Sequence, residues 1–128
     1  MNINRSQSIS GFGVSIGGIS QTISAEGGEV YDGSIAASQT NVEIAIPDVD
    51  LATCTCMAII ADKDTTVKTN STGAPDNTLS LKANVPLFWM TGDLAGNKFL
   101  TINVTKWYVT TGAATTKLKI LIASDATP

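Results

Sequence analysis

The stretch Asn41-Val42-Glu43-Ile44-Ala45-Ile46-Pro47 decides how the chain is read. Val42, Ile44 and Ile46 alternate with Glu43 and Ala45, so in an extended strand the three branched side chains share one face. Pro47 has no N–H to offer a neighbouring strand and ends the ladder there. A strand with one apolar face needs a second layer to cover it, and the flanking sequence supplies further strands of the same kind.

Toward the C-terminus, Pro47-Asp48-Val49-Asp50-Leu51 reads as a turn or a single helical turn. Cys54-Thr55-Cys56-Met57-Ala58-Ile59-Ile60-Ala61 then runs almost continuously apolar, as suits a central strand covered on both faces. Asp62-Lys63-Asp64 makes a polar turn, and residues 65–69 are expected to pair back on the preceding strand. Residues 70–77, with Gly73 and Pro75, form a loop. Strands are expected over 78–82, 86–90, 99–104, 107–110 and 116–123, with a Gly-containing loop over 91–97. Toward the N-terminus, 29–35 reads as a strand. Residues 7–16 and 19–25 read as a hairpin turning at Gly17-Gly18, with Phe12, Val14 and Ile16 alternating with small residues. Helical periodicity is nearly absent. The expectation is all-β: an antiparallel β-sandwich or jelly-roll-like domain over residues 7–128, with residues 1–6 either a loose arm able to dock on a neighbour or ordinary terminal fraying.

At 128 residues the chain is long enough for one domain with a real core, and its 43% apolar content supplies one. Only 15% of residues are charged, few for keeping a free protein apart from its neighbours, which points to a life in contact with something. A net charge of −3 argues against a nucleic-acid or anionic-membrane partner, because such binding rests on neutralising phosphates with Lys and Arg. No run approaches the roughly 20 apolar residues needed to cross a bilayer, and the opening residues lack the apolar run of a secretory signal. Synthesis in the cytoplasm is expected.

The chain has no His, which removes the usual general base and every triad built on imidazole; no catalytic residue, cofactor or metal site is expected. Asp48 with Asp50, and Asp62 with Asp64, offer paired acids, but turn aspartates commonly cap the local backbone, and that reading is preferred to calcium or acid–base chemistry. Gly11, Gly13, Gly17 and Gly18 are strand and turn residues rather than a phosphate loop, since no Lys-Ser or Lys-Thr and no helix follow. Cys54 and Cys56, two apart on a strand, are expected to point the same way as small buried thiols. Trp89, Trp107 and Tyr108 hold most of the large-ring surface and are the candidate interface or ligand platform. Trp107 and Tyr108 are adjacent on a strand and should face opposite ways.

The phrases Ala61-Asp62-Lys63-Asp64-Thr65-Thr66-Val67-Lys68-Thr69-Asn70-Ser71 and Ala74-Pro75-Asp76-Asn77-Thr78-Leu79-Ser80-Leu81-Lys82-Ala83 resemble those of small virion proteins of tailed bacteriophages. Pro86-Leu87-Phe88-Trp89, Val104-Thr105-Lys106-Trp107-Tyr108-Val109-Thr110 and Leu118-Lys119-Ile120-Leu121-Ile122 extend the resemblance over the second half of the chain. It implies a capsid decoration or cement protein: a structural, non-enzymatic subunit on the outer surface of the virion. The implied partners are the major capsid protein and further copies of itself, as a homo-oligomeric trimer or dimer. The alternative is a tail or head-fibre component that binds carbohydrate or a host receptor.

Overall fold

The computed structural model describes residues 2–94, 96 and 98–125; for 7–11 and 14–24 the backbone alone is described. Met1 of the expected arm, residues 95 and 97 of the expected loop, and the domain's last three residues lie outside these. Ten strands follow one another: β1 Asn2–Gly11, β2 Val14–Ser24, β3 Gly27–Ile35, β4 Val42–Ile44, β5 Cys54–Ala61, β6 Thr65–Thr69, β7 Thr78–Leu81, β8 Leu87–Met90, β9 Trp107–Thr111 and β10 Thr116–Ser124. β1 and β2 form a separate two-stranded ribbon. The other eight make two antiparallel four-stranded sheets, β3-β10-β5-β8 and β4-β9-β6-β7.

The all-β expectation holds, and the strand order specifies it further. β3 pairs with β10, β4 with β9, β5 with β8 and β6 with β7. The first half of the eight-strand run is thus matched to the second half in reverse, as when one long antiparallel ribbon is rolled up. That nested order is a jelly roll.

Its core follows from alternation. Met57, Ile59 and Ala61 of β5 and Leu118, Ile120 and Ile122 of β10 meet Ile44 of β4, Val67 of β6, Leu79 and Leu81 of β7, and Trp107 and Val109 of β9. Trp107 is 0% exposed and is the largest side chain in this layer. β5 lies between β10 and β8 as a central strand; its inward face is buried, but the expected cover on both faces is incomplete, since outward Ala58 and Ile60 are only half-buried. Thr65, Thr69, Thr111 and Thr116 are also buried, and each hydroxyl finds a backbone partner, for example the Ala36 carbonyl 2.7 Å from Thr111 Oγ1.

Four expectations are corrected. The N-terminal hairpin turns at Phe12-Gly13, not at Gly17-Gly18, and its first strand includes Asn2–Ser6, the residues assigned to an arm. Both turn residues have positive φ, 50° and 75°, as a tight two-residue turn between twisted strands demands. Second, β6 does not pair with β5; the turn between them steps from one sheet to the other. Asp62 Oδ1 accepts the Lys117 amide of β10 at 2.8 Å, and Asp64 Oδ1 accepts the Ala83 amide just beyond β7 at 2.9 Å. Each end of the turn is thereby tied to a different sheet.

Third, residues 99–104 form no strand. Leu100 and Val104 are buried while 101–103 are exposed, a spacing unlike alternation. Asparagine side chains replace the ladder here. Asn77 holds both the amide and the hydroxyl of Thr101 at 3.1 Å, Asn103 Oδ1 accepts the Leu51 amide at 2.9 Å, and Asn70 Nδ2 donates to the Asn103 carbonyl at 2.9 Å. One backbone bridge remains, between Val49 and Val104.

The fourth concerns the cysteines. Ala123 pairs with Cys56, but the next residue, Ser124, pairs with Cys54, so β5 carries a bulge at Thr55. The extra residue reverses the side-chain parity. Cys54 enters the core between the sheets, and Cys56 faces the other side of its sheet.

Candidate assembly surface

The outer face of the β3-β10-β5-β8 sheet can be built row by row from the pairing register. Gly28, Ala123, Cys56 and Met90 lie across its four strands in one row. Val30, Leu121, Ala58 and Phe88 make the next. Asp32, Lys119 and Ile60 make the third. A jelly-roll sheet that faces water on one side normally alternates apolar with polar residues, yet the first two rows hold no charged residue.

The first row is covered. Ile3 of β1 packs against the buried cluster of Ala25, Cys56, Met90 and Ala123. Arg5 continues the attachment: its guanidinium makes a bidentate pair with Asp93, Nη1 to Oδ2 at 2.5 Å and Nη2 to Oδ1 at 2.8 Å, and lies over the Phe88 ring at 5.2 Å. Asp93 is itself fixed by the turn after β8, where Oδ2 accepts the Met90 amide at 3.0 Å. Both partners are mostly shielded, with 14% and 16% of their side chains exposed. The ribbon is thus seated at its base on the sheet by side chains, while its backbone pairs with neither sheet.

The second and third rows are not fully covered. Val30 is 73% exposed, and Ala58, Ile60, Phe88 and Leu121 are half-buried. A groove of about 270 Å³ runs along Val30, Ala58, Ile60 and Leu121, with Pro86, Asp32 and Lys119 completing its lining. Between Arg5 and Glu26, through nearly the whole ribbon, the chain carries no charged residue, its longest such interval. Phe12, at the ribbon's tip, is fully exposed.

The three candidate rings do not share a platform. Trp107 is in the core. Trp89, on β8, is partly buried against that core with the Lys98 ammonium 4.7 Å from its ring centroid. Tyr108 does face opposite to Trp107, half-buried on the outer face of the other sheet between Glu43 and Lys68 in register. The surface that sequence reasoning missed, Val30 with Leu121, Ala58 and Phe88, is spread over four strands and becomes a patch only through the register. Its one local signal was the apolar residue at each outward position of β5.

The aspartates of the two pairs act as backbone caps where the structure gives them a partner. Asp50 Oδ1 accepts the Ala52 amide at 2.9 Å, and Asp62 and Asp64 anchor the sheet-crossing turn. The Ala83 N–H, helped by Lys82, holds the Asp64 carboxyl below the usual carboxylate range. Burial pushes both thiols up, Cys54 against the opposing Cys56 carbonyl contact and Cys56 with help from the neighbouring thiol. Both thiols are buried, and a raised pKa disfavours the reactive thiolate. Among the described residues no His, Cys, Asp and Glu side chains gather as a metal site, and no helix is long and apolar enough to cross a membrane.

The fold and this surface define the class: a jelly-roll domain with an appended β-ribbon seated on one apolar sheet face. No family model matches the chain, and no curated protein or solved structure matches it either.

Proposed function

We propose that this protein is a non-catalytic structural subunit of a larger protein assembly, and specifically a cement or decoration protein on the capsid surface of a tailed bacteriophage. The observation that carries the assembly reading is the pairing of a β-ribbon that is uncharged beyond Arg5 with a partly uncovered apolar sheet face. An unpaired ribbon edge is a liability in a free monomer and a docking element in an assembly, where another strand or sheet can cover it. The phage placement is supported by the resemblance of the strand and turn phrases in the second half of the chain. Jelly rolls serve both as viral shell domains and as lectins, so the architecture is compatible with the cement reading and with a glycan-binding fibre component.

The mechanism would be association by area: many copies, each with a modest contact against the major capsid protein, gain avidity from the symmetry of the shell. The test is copy number in purified particles, by quantitative mass spectrometry against the major shell protein. Hundreds of copies in fixed ratio to that protein are expected. A handful would move the chain to the tail or head fibres, and absence would end the virion reading.

A further inference from the structure

We infer that the uncovered part of the β3-β10-β5-β8 outer face is the seat for the N-terminal ribbon of a second copy of this chain. This deepens the assembly reading but does not need a shell, since it concerns the purified chain alone.

The chemistry of the groove selects its occupant. Val30, Leu121, Ala58, Ile60 and Pro86 make it apolar, and its two charged neighbours, Asp32 and Lys119, are register partners that offset each other. A charged occupant would lose hydration there with nothing to replace it. An uncharged β-segment fits, and the chain's longest uncharged interval, residues 6–25, covers the ribbon beyond Arg5. Within one molecule the base of the same ribbon already packs on this face: Ile3 of β1 lies in the adjoining row, against Cys56, Met90 and Ala123. A second copy presents the same ribbon to the next row and receives the first copy's ribbon in return, a self-complementary two-fold arrangement.

The tip agrees with this assignment. Phe12 takes a left-handed conformation, which is costly for an aromatic residue, and its ring is fully exposed, so the strain is not repaid by any packing within the molecule. In area the contact is modest. The part of the ribbon beyond Ser6 is about 20 Å long and ~10 Å wide, so reciprocal docking covers roughly 400 Å² per partner, below the about 800 Å² of a standard stable pair. Reversible association in about the micromolar range is expected.

The experiment is sedimentation velocity on the full chain over a concentration series, with circular dichroism to confirm folding. Val30→Lys charges the face at a position 73% exposed, where folding tolerates it, and Ile9→Lys charges the ribbon. Ile102→Lys is the control, an exposed apolar residue that does not line this groove. The native chain and the control are expected to self-associate alike, and both test variants to dissociate with a constant raised by about tenfold or more. A native chain that stays monomeric to ~100 µM overturns the inference. So does loss in only one of the two test variants, which would give the face or the ribbon a different partner, and so does equal loss in the control. The shell reading is decided separately by copy number and survives any of these results.

Discussion

Phe12 shows how one residue can work against the element that holds it. At φ 50° it occupies the first position of a two-residue hairpin turn, a place that suits Asn or Gly and strains an aromatic side chain. Phe12→Asn should therefore stabilise the ribbon by about 1 kcal/mol, read as slower amide exchange along β1 and β2, with the exposed ring lost at no packing cost. Trp107 is the opposite case, fully enclosed between the sheets. Trp107→Ala should cost about 3–5 kcal/mol in urea unfolding. The thiols give a pH prediction. Burial raises both pKa values above the ordinary thiol range, so the folded state favours the protonated form. Their contribution to stability is complete below the unfolded thiol pKa and is lost as pH rises through the folded one. Stability should thus decline on the alkaline side, and iodoacetamide should modify Cys54 and Cys56 in the native protein far more slowly than in denatured protein at pH 8.

The ribbon's attachment is the element most exposed to change. Its backbone has no ladder to either sheet, and Ile3 and the Arg5–Asp93 pair hold its base. Asp93→Ala removes two charge-assisted hydrogen bonds to Arg5 and the cap on the Met90 amide, and should loosen this attachment by about 1–3 kcal/mol. Exchange of the Arg5 and Met90 amides should rise well before that of β9 or β10; equal acceleration everywhere would mean the pair stabilises the whole roll instead. How far elements were legible in the sequence depended on who satisfies their backbone. β5, β9 and β10 bond to neighbouring strands, and their alternation or apolar run reports this directly. Residues 99–104 look just as strand-like, but their polar groups are held by Asn70 and Asn77 from distant loops, which no local pattern reveals. Likewise the bulge at Thr55 turns two cysteines of matching parity to opposite faces, and only the offset against Ala123 and Ser124 discloses it.

For the molecule as a whole, the sequence carried the class of fold and withheld the pairing. Strands two-fold alternating on each side of polar turns are common to every sandwich; what selects the nested order are contacts such as Asp62 to Lys117 and Asp64 to Ala83, each linking residues far apart in the chain. The assembly face was illegible for the same reason, because Val30, Leu121, Ala58 and Phe88 come from four separate strands. Nested order also means that β3 finds its partner only when β10 exists, across most of the chain's length. Refolding from urea should therefore be slow, milliseconds to seconds by stopped-flow fluorescence of the tryptophans, as for other domains built on distant pairings.

The joining of β3 to β10 has one more outcome. Gly27 is the register partner of Ser124, and the Glu26 amide donates to the Ser124 carbonyl at 3.0 Å, so the polypeptide enters and leaves the eight-strand roll at a single spot. Such a unit behaves as a cassette with one plug. Spliced through those two ends into an exposed loop of another protein, the roll would hang from its host by a two-strand stalk without stretching either partner.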